Sequence, residues 1–250
     1  MNRLAIATLA LLSAAVATAQ GGPAFQVAET GRGYATLQQA VDAIGEGEGT
    51  IIINPGTYRE CAVQAAGDIS YRAAVPGKTV FERKLCENKA AIVLRGYSAS
   101  VDGIIFQNMQ SSDSNGAGLR LEQGSLKVTR AVFRDSQQGI LTAHDPRSTL
   151  TVDQSTFSGL GICTDHCAHS IYGGHIAKLT VTNSRFEKGT GGHYIKFRGR
   201  EVSITNNAFD DSEGQGTNYM IDLPNGAIGL IANNMFVQGL NKENSTTFIA

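Results

Sequence analysis

The chain has 250 residues, of which 42% are hydrophobic and 17% charged, enough apolar material for a sizeable folded core and too much for a disordered chain. Its formal net charge is −1, which excludes the strong basic excess expected of a nucleic-acid binder. Glycine is abundant, at 29 residues, which suits many turns and few long helices.

The first 19 residues read as a cleavable signal peptide. Arg3 gives the positive start and residues 4–16 are an apolar run, too short to span a bilayer comfortably. Ala17, Thr18 and Ala19 then form a small-residue cleavage site, with Gln20 as the first mature residue. The expected mature domain is 20–250, exported to the periplasm or medium and not integral to a membrane. Export makes two disulfides the default for the four cysteines. Chain order favours Cys61–Cys86 and Cys163–Cys167. The rival is a metal site on Cys163, His166, Cys167 and His169, whose ligands crowd into seven residues, unlike the usual two-knuckle spacing.

A helix is predicted at about residues 35–45. Leu37, Ala40, Val41 and Ile44 fall on one helical face, with Thr36 as the N-cap. Residues 50–53 then read as a strand. Beyond it one pattern recurs: apolar-x-apolar-x-polar-x-x-Phe. Its copies are Leu126, Val128, Arg130, Phe133; Leu150, Val152, Gln154, Phe157; Leu179, Val181, Asn183, Phe186; and Val202, Ile204, Asn206, Phe209. Weaker copies end at Phe106 and Phe236, and the mean spacing of the six Phe residues is 26. Each copy alternates with period two, a strand with one buried face. Second short strands lie between the copies, around Arg120, Ile140, Ile171, Lys196 and Asp222.

Short strands at a long fixed period, with no helices between them, predict a single-stranded right-handed parallel β-helix, an all-β solenoid capped by the N-terminal helix. Phe should stack on Phe up the core, and Asn183, Asn206 and Asn233 should form an amide ladder at a turn. Residues 245–250 read as the start of another coil with no closing cap, which leaves open a chain truncated at Ala250.

The stretch TLQQAVDAIGEGEGTIIINPGTYRE resembles the opening of pectin-lyase-like β-helix proteins. The later coils resemble the bacterial secreted "right-handed β-helix region" proteins, most closely in GICTDHCAHSIYGG, GGHYIKF and IDLPNGAIGLIANNMF. The resemblance covers about residues 33–250. It implies the fold; for activity it implies only a wide choice, since this fold hosts lyases, hydrolases, esterases, epimerases and binding proteins.

Period-two alternation places candidate chemistry on one outward patch. With Ile195 and Phe197 inside, Tyr194, Lys196 and Arg198 should point out. Stacking puts Arg120, Tyr172, Lys196 and Asp222 in one outward ladder, with His169, His175 and His193 near its strand ends. β-Elimination from a uronate needs a base for the C5 proton, a cation for the carboxylate and an acid for the leaving oxygen. Lys196 is assigned as base, Arg198 as carboxylate binder, and Tyr172 or His193 as acid. Tyr194, Arg120, Asp222, His175 and His169 are assigned to substrate. Several polysaccharide lyases of this fold use Lys or Arg in such roles, so the resemblance implies the same here. The expected activity is a polysaccharide lyase or C5-epimerase on an acidic polysaccharide. Ca²⁺ is an optional substitute for the arginine, and the oligomeric state is open.

Two alternatives stand beside it. A non-catalytic glycan-binding or envelope protein would use the same outward tyrosines and cations. A glycoside hydrolase would use Asp210, Asp211, Glu213 and Asp222. Asp210-Asp211 and YIKFR echo the paired Asp and RIK element of polygalacturonases, but in the opposite order. A disulfide at Cys163–Cys167 would display Asp165 and His166 on one wall of the cleft.

Overall fold

The computed structural model of the protein describes residues 22–164 and 166–250. The signal peptide expected over residues 1–19, and Asp165, lie outside the described residues. Three sheets, of ten, eight and seven strands, run the length of a β-solenoid. Each coil adds one strand to each sheet. Ser125–Thr129 belongs to the ten-stranded sheet, Val132–Arg134 to the eight-stranded sheet and Gln138–Thr142 to the seven-stranded sheet, before the chain returns at Thr149–Asp153. These are called the long sheet, the phenylalanine sheet and the outer-site sheet below.

The N-terminal end is closed as the sequence predicts. A helix spans Leu37–Ile44, with Thr36 as N-cap. Thr36 Oγ1 accepts from Gln39 N, and Gln39 Oε1 accepts from Thr36 N, a reciprocal capping box. Leu37, Ala40 and Val41 are buried against the first coil. Two antiparallel strands, Phe25–Val27 and Gly33–Tyr34, pair on the edge of the long sheet and cover it.

The core is a column of rings. Phe81, Phe106, Phe133, Phe157, Phe186, Phe209 and Phe236 are in direct register on successive coils. In the centre, Phe157 and Phe186 lie 4.7 Å apart with planes tilted by 6°. The column reaches further than the repeat pattern indicated. Tyr58 and Phe25 extend it below Phe81, and Phe248 stacks on Phe236 above. Residues 245–250 do continue the solenoid: Ile249 bridges Ile221, and Phe248 O accepts from both Met220 N and Ile221 N.

The polar position of the repeat has a backbone role. Gly103, Arg130, Gln154, Asn183, Asn206 and Asn233 all have φ between 48° and 73°, the left-handed turn that asparagine tolerates best among residues with a side chain. The side-chain ladder expected at Asn183, Asn206 and Asn233 sits one residue later. Asn207 Oδ1 accepts from Ser184 N, and Asn234 Oδ1 accepts from Asn207 N, each at 2.9 Å. Ser184 and Ser155 do the same with their hydroxyls one and two coils earlier. The left-handed residue turns its own side chain outward, so the next residue is the one that points in.

Both expected disulfides are present, Cys61–Cys86 and Cys163–Cys167, and the rival metal reading of the second pair falls. The ring column makes the central coils interdependent. Phe157→Ala is expected to lower unfolding stability by about 3–5 kcal/mol, measured by denaturant melting. A loss below about 1 kcal/mol would contradict a tightly packed column.

Candidate functional site

The outer face of the outer-site sheet carries the candidate residues. Register places Arg120, Leu141, Tyr172, Lys196 and Asp222 in one ladder. Arg198 lies two residues beyond Lys196 on the same face.

Tyr194 does not join them. It is 1% exposed and packs in the core between Phe186 and Phe209. Ser170 and Met220, at the equivalent position of neighbouring coils, are buried as well. Tyr194 precedes its strand, which starts at Ile195, and on two other coils the equivalent step is bulged. Gly139 N and Ile140 N share Ser170 O as acceptor, and Met220 N and Ile221 N share Phe248 O. Two consecutive residues therefore face inward, and the parity of everything before them reverses. The residues one step earlier, His169, His193 and Tyr219, come to the outer side in Tyr194's place. Their rings stack at 4.9 and 5.5 Å.

This second ladder is wired through the backbone. His193 N donates to His169 Nδ1, and Tyr219 N donates to His193 Nδ1. The Nδ1 acceptor role fixes the proton of each neutral ring on Nε2. His193 Nε2 then faces Asp222 Oδ2 at 3.2 Å, and Lys196 Nζ faces the same oxygen at 3.0 Å. Burial pushes the His193 pKa down to about 4, opposed by Asp222 and reinforced by Lys196. Burial likewise pushes His169 down to about 2, helped by His193, Lys196 and Arg198. Both nitrogens of His193 are engaged, so it has no free lone pair for a proton-transfer step.

Arg198 links the sheet to its rim. Its Nε donates to Tyr172 Oη at 3.1 Å, and Nη1 donates to Asn225 Oδ1 at 2.8 Å. Tyr172 Oη is thus an acceptor toward Arg198, and its own proton is free to be given elsewhere. A pocket of about 550 Å³ opens beside Arg198, lined also by Pro146, His175, Arg200, Glu201 and Asn225. His175 is exposed there, and its backbone N donates to His144 Nδ1. Asn225 carried no signal in the sequence reading; its turn, Leu223 to Gly226, was legible only as a Pro-Asn-Gly loop. On the opposite rim, Thr164 of the Cys163–Cys167 loop meets Ser114 of the preceding wall at 3.3 Å.

The carboxylates named for hydrolysis do not converge. Asp211 is fully buried, accepts from Tyr194 Oη at 2.7 Å and from Thr217 Oγ1 at 2.6 Å, and pairs with buried Lys242 at 3.3 Å. Burial, then Asp211, raises the Tyr194 pKa. Asp210 lies on the phenylalanine sheet and faces Ser212 and Arg185. Glu213 pairs with Lys188 at the surface. Asp222 belongs to the outer-site sheet. Among the described residues no three His, Cys, Asp or Glu side chains stand close enough to hold a metal ion, so the Ca²⁺ option finds no ligand set there.

No family model matches the chain, and no curated protein does. Among solved structures, the pectin methylesterase from Aspergillus niger is similar over 87% of this chain and 86% of its own, with a TM-score of 0.57 at 13% identity. The fold is the pectin-lyase-like β-helix. An alginate lyase from Paenibacillus sp. str. FPU-7 aligns over 84% of this chain and 95% of that one, with a TM-score of 0.40 at 14% identity. No helix among the described residues is long and apolar enough to cross a membrane.

The buried histidines predict an acid-sensitive fold. His193 and His169 have folded pKa values depressed below the ordinary 6.5. The unfolded chain therefore binds more protons than the folded one below that value, and stability falls as pH drops from about 6.5 toward 4. Each proton contributes up to about 1.4 kcal/mol per pH unit. Denaturant melts across this window should show the slope, and His193→Asn should flatten it. Equal stability at both ends of the window would contradict the buried neutral rings.

Proposed function

We propose that the protein is an exported carbohydrate-active β-helix that acts on a uronate-containing polysaccharide by C5 proton abstraction, as a lyase or a C5-epimerase. One observation carries the reading: Tyr172, Lys196 and Arg198 meet on adjacent coils, with Arg198 Nε donating to Tyr172 Oη at 3.1 Å and Asp222 3.0 Å from Lys196 Nζ. Export is supported by the signal-peptide reading of residues 1–19 and by the two disulfides.

The chemistry assigns one task to each group. Arg198 holds the carboxylate of the reacting sugar and draws off the charge that grows there as C5 loses its proton. Lys196 takes that proton. It must first give up one of its own, and Asp222 is the acceptor in contact with it. Tyr172 gives its free proton to the leaving oxygen as the C4–O bond breaks and the C4–C5 double bond forms. His193, with both nitrogens occupied, orients Asp222 and takes no proton. In an epimerase the C5 proton returns from the other face and no bond to oxygen breaks.

A second reading rests on the same ion pair. A lysine that remains an ammonium held by Asp222 suits a site that binds acidic glycan without transforming it.

The test is ultraviolet absorbance of unsaturated uronates during incubation with alginate, pectate and glucuronate-rich polymers. Lys196→Ala and Tyr172→Phe are each expected to cut the rate by about 10²–10⁴-fold. Undiminished absorbance in Lys196→Ala would remove Lys196 as the base. Deuterium entering C5 from heavy water, without absorbance, would indicate the epimerase. Binding without either signal would establish the second reading, and new reducing ends without unsaturation would indicate hydrolysis.

A further inference from the structure

Arg120 is an anomaly among the cations of the outer face. Its neighbours are satisfied: Lys89 and Arg95 pair with Glu87 and Glu122, Lys196 pairs with Asp222, and Arg198 bonds Tyr172 and Asn225. Arg120 is half-buried, and its Nε is out of contact with solvent yet donates to no acceptor among the described residues. The nearest carboxylate oxygen among the described residues belongs to Glu122, at 3.8 Å from Nε. That is beyond hydrogen-bond reach, and Glu122 is already held by Lys89 at 2.8 Å and Arg95 at 2.6 Å. Around Arg120 the face is apolar, with Ala90, Val93, Ala117 and Leu141 packed together and Tyr172 against them. Burial lowers the Arg120 pKa, only partly offset by Glu122, Asp113 and Tyr172. A guanidinium in such a place is destabilising unless something pairs with it.

We infer that Arg120 is a second carboxylate-binding subsite, which makes the substrate a run of uronates with one carboxylate at Arg198 and another at Arg120. The inference rests on the polysaccharide reading above and narrows it. Arg120 and Tyr172 are two coil steps apart with Leu141 between them, roughly 10 Å at the strand spacing. The polymer therefore runs along the solenoid axis, over the apolar floor at Leu141, with its reacting sugar at Tyr172. The guanidinium of Arg120 offers the planar fork that grips a carboxylate through two parallel bonds. A disaccharide seated at Tyr172 stops short of it, and a longer oligomer reaches it.

The experiment measures dissociation constants of uronate disaccharides, tetrasaccharides and hexasaccharides in a Tyr172→Phe background, which slows elimination by the factor given above. Arg120→Gln is expected to weaken hexasaccharide binding by roughly tenfold or more and to leave disaccharide binding unchanged, with Arg120→Lys recovering only part of the loss. A methyl-esterified hexasaccharide should bind weakly and equally to both proteins. Because the unpaired cation is unfavourable in the free protein, Arg120→Leu should raise the thermal midpoint, whereas removal of a merely structural arginine would lower it.

Equal loss at every oligomer length, or equal binding of free and esterified hexasaccharide, would overturn the subsite. So would a lowered midpoint in Arg120→Leu, or no binding of any uronate oligomer. Length-dependent binding through Arg120 without unsaturated product or C5 exchange would leave the subsite standing and remove the catalytic reading. Turnover of polymer and hexasaccharide unchanged by Arg120→Gln would do the reverse.

Discussion

The structure depends on one constraint: each coil must lie in register on the one below it. Backbone hydrogen bonds between coils fix the step, and the step decides which side chains become neighbours. Phe133 meets Phe157, and Phe157 meets Phe186, because their strands pair residue for residue. A flat ring on every coil fills the core at a constant width, whereas a β-branched side chain in that column would leave a gap between layers. The same register carries outward. Once Ile171, Ile195 and Ile221 are stacked inside, Tyr172, Lys196 and Asp222 have no choice but to stack outside. The candidate site is the outer print of the core repeat.

That logic explains both what the sequence revealed and where it misled. The Phe register and the Arg120–Asp222 ladder were legible because each follows from a period of two or a fixed coil length, the capping helix because its apolar residues share one helical face, and the disulfide pairs because chain order favours them. Tyr194 falls on the other side because period two does not extend past the start of its strand at Ile195. Such a change of parity is a local backbone choice, and it leaves no mark in apolar patterning when both residues, here Tyr194 and Ile195, are large and hydrophobic. The Asn207 and Asn234 ladder was missed by one residue for a related reason: the left-handed turn before each one inverts which asparagine of the pair faces in. Phe81 escaped because it follows Tyr71 by ten residues, whereas Phe106 follows the equivalent Val101 by five, so its coil breaks the repeat spacing. Lys242, thirty-one residues from Asp211, could not be linked to it without the fold.

The reversal at Tyr194 changes the chemistry on offer. It takes a phenol away from the cleft and gives it to Asp211, closing an internal network at the C-terminal coils with Lys242 and Thr217. In exchange it brings His169 and His193 to the outer face, where their stacked rings are held neutral by burial and by backbone N–H donors. A neutral imidazole fixed in this way works as a directed N–H donor rather than a base. His193 spends that donor on Asp222, so its influence on any reaction passes through the carboxylate that also holds Lys196.

Two buried charges then show how selectively the fold treats electrostatics. Asp211 is fully enclosed, yet a phenol, a hydroxyl and an ammonium all converge on it, as desolvation requires of a buried carboxylate. Arg120 is half-enclosed on an apolar floor; Glu122, the carboxylate 3.8 Å from its Nε, is committed to two other cations, and Asp113 acts on it only from a distance. Among the described residues no acceptor compensates its Nε as the partners of Asp211 compensate that carboxylate. A guanidinium held in this way is pre-organised for an anion that arrives from outside. The spacing set by the coil register turns that single unpaired group into a ruler, because a ligand that satisfies Arg120 and Arg198 together must span the coils between them.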